Sequence, residues 1–239
     1  MVMFNFLKKR YSLAESGVLS GSVDAHSHIL FGVDDGVGHL ETSLKILTYE
    51  ESLGVKEVWC TPHIMEDVPN TTEELQTRFA ELQSAYTGPI RLRLAAEYMM
   101  DNLFVDRLHS RDLLLHGDNL VLVETSTNNP PLDLDSMLSS IMMAGYTPLL
   151  AHPERYRYLQ RDDYRRLVSK GVRLQLNLPS LVHYYGDTAY NKANWLLEND
   201  MYCAIGSDCH RIKAIQEQYG RRELTSSILK KIETLVSMK

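Results

Sequence analysis

The stretch DAHSHILFGVDDG at residues 24–36 decides how the rest of the chain is interpreted. It predicts a short strand that begins near Val23 and carries His26 and His28 at its end. Side chains two positions apart on a strand point to the same side, so these two imidazoles can bind one cation together. Asp35 follows in a segment with flanking glycines that can bend back over the strand end. The stretch therefore predicts the beginning of a metal site.

Outward from this stretch, strand-like and helix-like segments alternate about seven times. The predicted strands are 23–28, 55–60, 90–96, 120–123, 146–150, 172–176 and 202–205. The predicted helices are 39–53, 71–86, 102–109, 133–144, 164–170 and 189–199, with two more up to residue 238. Buried strands separated by helices imply a parallel sheet. We therefore expect an α/β fold, a distorted seven-stranded (β/α) barrel of the TIM-barrel type.

Composition fits one ordinary globular domain, since 44% of the 239 residues are hydrophobic and 23% are charged. No repeat, low-complexity segment or linker marks a boundary. We expect a single domain over 1–239, in which 1–21 form an N-terminal arm. The apolar patch in residues 1–10 precedes the charged residues, the reverse of a signal peptide, and is too short to span a bilayer.

Charge and cysteine content narrow the functional classes. A net charge of -6 argues against a dedicated nucleic-acid-binding protein. No Gly-x-Gly-x-x-Gly motif or P-loop is present, which removes the usual nucleotide-binding interpretations. Three cysteines do not make a disulfide framework, so a reducing, cytoplasmic location is expected.

Candidate metal ligands recur at the carboxyl ends of the predicted strands, the face on which β/α barrels place their active sites. In chain order they are His26, His28, Asp35, His63, Glu97, Glu124, His152, Asp208 and His210. Taken singly, each has an ordinary interpretation as a solvated side chain or a helix cap. Their recurrence at successive strand ends argues against that interpretation of the set. Imidazoles and carboxylates in this number suit two or three divalent ions, Mn first, with Fe or Zn as alternatives.

The remaining histidines and the cysteines are predicted to have no role in this site. Four histidines are expected at the surface: His39, His109, His116 and His183. Cys60, Cys203 and Cys209 lie near candidate ligands, but none begins a Cys-x5-Arg loop. A cysteine nucleophile of the phosphatase type is therefore not expected, and Cys209 is predicted to pack beside the metals.

Five motifs in this order, HSHILFGVDDG, TPH, AEY, HPERY and SDCH, resemble those of the PHP (polymerase and histidinol phosphatase) superfamily. More narrowly, they are similar to its bacterial protein-tyrosine phosphatases of capsular and exopolysaccharide export. The resemblance runs from about residue 24 to residue 210. It implies a seven-stranded barrel of the PHP type with a trinuclear metal site.

The resemblance also implies a role for each candidate residue. It places His26, His28 and Asp208 on the first metal, Glu124 and His152 on a second that Glu97 bridges to the first, and Asp35, His63 and His210 on the third. Arg155 matches the arginine of the superfamily that contacts the substrate phosphate.

Three positions depart from the pattern of the resembled proteins. Phe31 stands where they usually have proline, and Ile64 replaces a frequent second histidine after TPH. Ile215 replaces an arginine that lies five residues beyond the last ligand. Whether Arg211 or Lys213 takes over from that arginine is left open. These changes leave the predicted ligands intact and bear on substrate preference and efficiency.

The leading hypothesis is a metal-dependent phosphatase that hydrolyses phosphotyrosine on proteins by means of a metal-activated hydroxide. The partner that the resemblance implies is a bacterial tyrosine kinase controlling capsular or exopolysaccharide synthesis. Two alternatives stay open. One is another phosphoesterase, similar to histidinol phosphatase, or a metal-dependent nuclease. The other is a non-catalytic regulatory subunit, which only the missing arginine at position 215 favours.

Overall fold

Short parallel strands alternate with helices throughout residues 9–237, the part of the chain that the computed structural model describes. In this range the strands are β1 Val23–Ser27, β2 Glu57–Cys60, β3 His63–Ile64, β4 Arg91–Leu94, β5 Glu97–Met99, β6 Leu120–Glu124, β7 Thr147–Leu150, β8 Arg173–Asn177 and β9 Ala204–Gly206. The predicted α/β class and its parallel strands are confirmed.

The strands form two sheets, in the orders β1-β2-β4 and β3-β5-β6-β7-β8-β9. Two short strands were not predicted: β3 follows β2 after Thr61 and Pro62, and β5 follows β4 after residues 95–96. Backbone bonds also link β1 to the chain after β9: the His28 N–H donates to the Cys209 carbonyl at 3.1 Å, and the Asp208 N–H donates to the His26 carbonyl at 2.8 Å. The parallel sheet is therefore strongly curled, and its description as a closed seven-stranded barrel stays a prediction.

The helices pack outside the sheets. They are α1 Leu13–Ser16, α2 Leu40–Ser52, α3 Thr72–Ala85, α4 Asn102–Ser110, α5 Leu134–Met143, α6 Arg161–Ser169, α7 Gly186–Glu198, α8 Ile212–Gly220 and α9 Ser226–Ser237. The predicted helices are confirmed within a few residues at each end. None of the helices in this range is both long and apolar enough to cross a membrane.

Part of the predicted N-terminal arm packs against the C-terminal region. The backbone of Tyr11 pairs with that of Leu224 through bonds of 2.9 and 3.0 Å. Ser12 caps α1, and the Leu13 side chain is buried in the main core. The first eight residues of the arm lie outside the described range.

His116 is not a surface residue, so its predicted position is wrong. Its side chain is only 8% exposed. Its Nε2–H donates to the carbonyl of Ala25 at 3.1 Å, and its ring stacks on Trp59 with the ring centroids 3.8 Å apart. His116 therefore fastens β1 at the residue before His26, and this burial lowers its pKa to about 4.

We expect His116 to make stability depend on pH. Its folded pKa of about 4 lies below the ordinary value of about 6.5, so the unfolded chain binds more protons between these two pH values. Stability therefore falls as pH decreases through this window. Urea unfolding of chelator-treated protein should show about 2 kcal/mol more destabilisation between pH 7.5 and pH 5 in the wild type than in His116→Gln. Equal losses in both proteins would contradict this account.

Candidate metal centre

All nine predicted ligands lie together in one cluster, to which β3 and β5 contribute their first residues, His63 and Glu97. They form four groups, within each of which the candidate ligand atoms lie within 4.8 Å of one another: His28/Asp35/His63/His210, His26/His28/Asp208, His26/Glu97/His152 and His63/Glu97/Glu124. Every group shares at least one residue with another group. The side chains therefore make one continuous cluster, as expected for a site that holds more than one cation.

Glu97 lies at the centre of the cluster and is fully buried. Its Oε2 atom is 3.2 Å from His26 Nε2, 3.2 Å from His28 Nε2 and 3.1 Å from His63 Nδ1, yet it has no hydrogen-bond partner among the described residues. A buried carboxylate oxygen without a partner is costly. Ligands that bind one cation at about 2.1 Å lie roughly 3.0–3.4 Å apart. The spacing fits a divalent cation among these four atoms.

The Oε1 atom of Glu97 lies in a second set of candidate ligands. His152 Nε2 lies 3.0 Å from Glu97 Oε1 and 3.6 Å from Glu124 Oε2. The other Glu124 oxygen is 3.2 Å from His63 Nδ1. Glu97 thus shares its two oxygens between adjacent groups, which is the geometry that a bridging carboxylate needs.

Asp35 and His210 lie at the solvent-facing edge of the cluster. The Asp35 side chain is 72% exposed, and its Oδ1 atom lies 3.3 Å from His210 Nε2 and 3.7 Å from His63 Nε2. The remaining predicted ligands are mostly buried. A substrate can therefore approach the cluster from the side of Asp35 and His210.

Two polar side chains fix the imidazoles of the HSH motif. His26 Nδ1 bonds to the Gln175 side-chain oxygen at 3.0 Å, and His28 Nδ1 bonds to Asp34 Oδ2 at 2.8 Å. Both partners accept, so each Nδ1 carries a proton and each Nε2 is directed at the cluster, where it can bind a cation once its own proton is displaced. Such outer partners orient metal-binding histidines. Neither Gln175 nor Asp34 was among the site residues predicted from the sequence.

His26 and the carboxylates of Glu97 and Asp208 stabilise one another's charged forms. Burial lowers the pKa of His26, but the carboxylates of Glu97 and Asp208 outweigh burial and raise that pKa to about 9. Burial raises the pKa of Asp208, but His26 and Arg155 outweigh it and hold that pKa below its ordinary range. Glu97 and Asp208 therefore stay ionised at neutral pH, and a cation that binds here displaces a proton from imidazole.

Asp208 is held by three donors on one oxygen. Its Oδ2 atom accepts from Arg155 Nη1 at 2.8 Å, from Asn177 Nδ2 at 2.7 Å and from the Tyr185 hydroxyl at 3.1 Å. Its Oδ1 atom remains directed at the cluster, 3.5 Å from His28 Nε2. Asp208 therefore connects the candidate metal ligands to the arginine that was predicted to bind phosphate.

Arg155 lies beside the cluster, where it can contact both the cluster and a substrate. It ends a short 3₁₀ helix, Pro153–Arg155, that follows β7. Its guanidinium packs over the Tyr185 ring, 4.3 Å from the ring centroid, and its side chain is 26% exposed. It also lines a cavity of about 670 Å³. With one N–H group on Asp208, the others are free to bind an anion in that cavity.

Glu154 of the HPERY motif has a structural role that the sequence analysis did not identify. Its carboxylate is buried and accepts from the Asn177 N–H at 3.0 Å, from the Ser180 hydroxyl at 2.7 Å and from the Tyr202 hydroxyl at 2.9 Å. Burial raises its pKa. Glu154 thus ties the segment that carries Arg155 to the end of β8.

Removing this carboxylate should destabilise the protein strongly. We expect Glu154→Ala to lower the free energy of unfolding by about 3 kcal/mol, because several buried donors lose their acceptor. The midpoint of urea unfolding measures the effect, and Glu198→Ala at an exposed position of α7 is the control. A loss below about 1 kcal/mol would mean that these bonds add little to stability.

The structure also locates the positions that were left open. Ile215 lies in α8, is 1% exposed and packs in the main core. Arg211 and Lys213 are both exposed. Cys209 packs in the main core, and its carbonyl accepts from the N–H of the candidate ligand His28. Burial raises the pKa of all three cysteines. A thiolate nucleophile is therefore disfavoured.

Known proteins of similar sequence agree with the family resemblance of the motifs. The model of the family "Capsular polysaccharide synthesis, CpsB/CapC" matches residues 22–233. The chain is 30% identical over 206 residues to the tyrosine-protein phosphatase CpsB of Streptococcus pneumoniae, covering 80% of this chain and 83% of that protein. It is 25% identical over 198 residues to the tyrosine-protein phosphatase YwqE of Bacillus subtilis, covering 80% and 78%.

The fold has a counterpart among solved structures. A crystal structure from a study of YwqE of Bacillus subtilis and CpsB of Streptococcus pneumoniae, described there as unique metal-dependent tyrosine phosphatases, superposes with a TM-score of 0.79. Sequence identity is 23%, and the match covers 90% of this chain and 91% of that one. At this identity the likeness supports the curled α/β fold.

Proposed function

The chain belongs to the CpsB/CapC family of capsular polysaccharide synthesis, and on that premise we propose that it is a metal-dependent protein-tyrosine phosphatase. The observation that carries the proposal is the continuous cluster of nine ligand side chains beside Arg155. Its relatives from Streptococcus pneumoniae and Bacillus subtilis bear the name tyrosine-protein phosphatase.

The nine side chains of the cluster are the proposed metal ligands. Glu97 offers one oxygen to each of two groups, and the Nε2 atoms of His26 and His28 point inward. We propose two or three divalent ions, Mn first, with Fe or Zn as alternatives, because the donors are imidazoles and carboxylates without thiolate. When bound, such ions lower the pKa of a coordinated water and neutralise charge on a phosphate.

The chain's own residues position the phosphoester. Arg155 binds the non-bridging phosphate oxygens through the N–H groups that Asp208 does not use. The ring of Tyr185 packs against the Arg155 guanidinium and helps to hold it in place. The leaving tyrosinate has a conjugate-acid pKa of about 10, so it departs with little need for a strong general acid. Neither a cysteine nucleophile nor a covalent phospho-enzyme is part of the proposal.

The proposed substrate is a phosphotyrosine protein, and the proposed partner is a bacterial tyrosine kinase that controls capsular or exopolysaccharide synthesis. The description of the family, which concerns capsular polysaccharide synthesis, supports this assignment. A cytoplasmic location is proposed with it, and the three free cysteines are consistent with a reducing compartment.

Comparison of substrates tests the proposal. With Mn²⁺ present, we expect kcat/KM for a phosphotyrosine peptide to exceed that for histidinol phosphate by at least about 100-fold. Single-stranded DNA should not be cleaved. A preference for histidinol phosphate or DNA would move the function to another phosphoesterase or a nuclease, whereas bound metal without turnover of any of these substrates would favour the regulatory subunit.

A further inference from the structure

A second arginine lies two residues beyond Arg155 and lines the same cavity of about 670 Å³. Tyr156 between them is fully buried and has an extended backbone, with φ -72° and ψ 113°. With this conformation at Tyr156, the Cα atoms of the two arginines lie roughly 6.6 Å apart, as for residues i and i+2 of a strand. Arg155 and Arg157 both line the cavity, while Tyr156 packs in the core.

Hydrogen bonds from two other parts of the chain hold the backbone of Arg157 and its neighbours in place. The Arg157 N–H donates to the Thr127 carbonyl at 2.9 Å. The Lys192 ammonium of α7 donates to the carbonyls of Tyr156 at 2.6 Å, Arg157 at 3.3 Å and Leu159 at 2.7 Å. The position of Arg157 relative to Arg155 is therefore built into the fold.

The guanidinium of Arg157 is available for a ligand. Arg155 is paired with Asp208, but the exposed Arg157 side chain has no ion pair or side-chain hydrogen bond within residues 9–237. The carboxylate of Asp187 also lines the cavity, but it is 86% exposed and bonds to His183 Nδ1 at 2.8 Å. The cavity thus offers a guanidinium that makes no ion pair with the described residues, which suits an anionic group.

We propose that Arg157 forms a subsite for an acidic side chain two positions from the phosphotyrosine in the substrate. This inference rests on the proposed function. An extended peptide presents side chains i and i±2 on one side, so two of them can enter the cavity that Arg155 and Arg157 line. The phosphotyrosine side chain is longer than aspartate or glutamate and reaches the deeper Arg155. The shorter carboxylate meets the more exposed Arg157, whose planar fork can bind it through two hydrogen bonds.

Peptide kinetics with a charge reversal test the subsite. Four phosphotyrosine peptides carry glutamate two positions away on both sides, glutamate at the adjacent positions only, or glutamine or lysine two positions away. We expect the wild-type kcat/KM to be about fivefold higher for glutamate two positions away than for glutamine there, as for one partly exposed charge pair. Arg157→Glu should reverse the order, so that the lysine peptide becomes the better substrate.

The matched control is Arg173→Glu, the same change of charge at the opposite, amino end of β8. This variant should keep the wild-type preference. Equal kcat/KM for the glutamate and glutamine peptides would overturn the proposal, as would an acidic preference that survives in Arg157→Glu. A wild-type preference for glutamate at the adjacent positions would overturn the proposed spacing. No turnover of any peptide by the wild type would contradict the proposed function itself, and the subsite with it.

Discussion

Glu97→Gln is expected to lower kcat/KM for a phosphotyrosine peptide by about 1,000-fold, the largest effect that we predict for a change retaining side-chain shape. Glutamine removes the negative charge from the one carboxylate that contributes to two ligand groups. It also places a neutral amide among three imidazole nitrogens that lie 3.1–3.2 Å from Oε2. Both changes weaken cation binding, so metal analysis should find at least one ion fewer per chain.

The control for Glu97→Gln is Glu73→Gln, the same substitution at an exposed position of α3. It should keep wild-type activity and metal content. Circular dichroism of both variants checks that they fold. A Glu97→Gln enzyme that retained more than about a tenth of wild-type activity with a full complement of metal would contradict a central role for this carboxylate.

Arg155→Lys is expected to lower kcat/KM by about 100- to 1,000-fold while leaving metal content unchanged. The arginine fork can bind Asp208 and a phosphate at the same time, and its flat face packs on Tyr185. A lysine ammonium is a point charge and cannot reproduce this arrangement. Asp208 keeps its bonds from Asn177 and Tyr185, so the ligand cluster should survive.

Steady-state kinetics and metal analysis on the same preparation separate the two roles of Arg155. Arg165→Lys, at an exposed position of α6, serves as the control and should behave as the wild type. Loss of metal in Arg155→Lys would assign this arginine to the support of the cluster. Activity within about fivefold of the wild type would remove it from phosphate binding.

Local patterns were enough to predict most of the elements and the composition of the candidate site. The alternation of apolar runs located the strands, and the rule that barrel strands carry function at their carboxyl ends selected the residues that the structure brings together. The short strands β3 and β5 were missed. They have two and three residues and begin with His63 and Glu97, so they show no apolar run of the length that predicts a strand.

Contacts between distant parts of the chain could not be predicted in this way. His116 was assigned to the surface because it lies in a loop, yet its partner Ala25 is 91 residues away. Asn177 supports Asp208 across 31 residues, and Glu154 binds Asn177 across 23. Such pairs depend on how the strands are arranged in space, and no local spacing encodes them.

The measurement that tests the account most directly is phosphate release from a phosphotyrosine peptide before and after removal of metal. We predict that a chelator abolishes release, that added Mn²⁺ restores it, and that His26→Ala shows no release under either condition. His26 contributes to two of the four ligand groups, whereas the exposed His109 contributes to none, so His109→Ala is the matched control. Release that persists in the chelator, or in His26→Ala, would contradict a metal-dependent phosphatase built on this cluster.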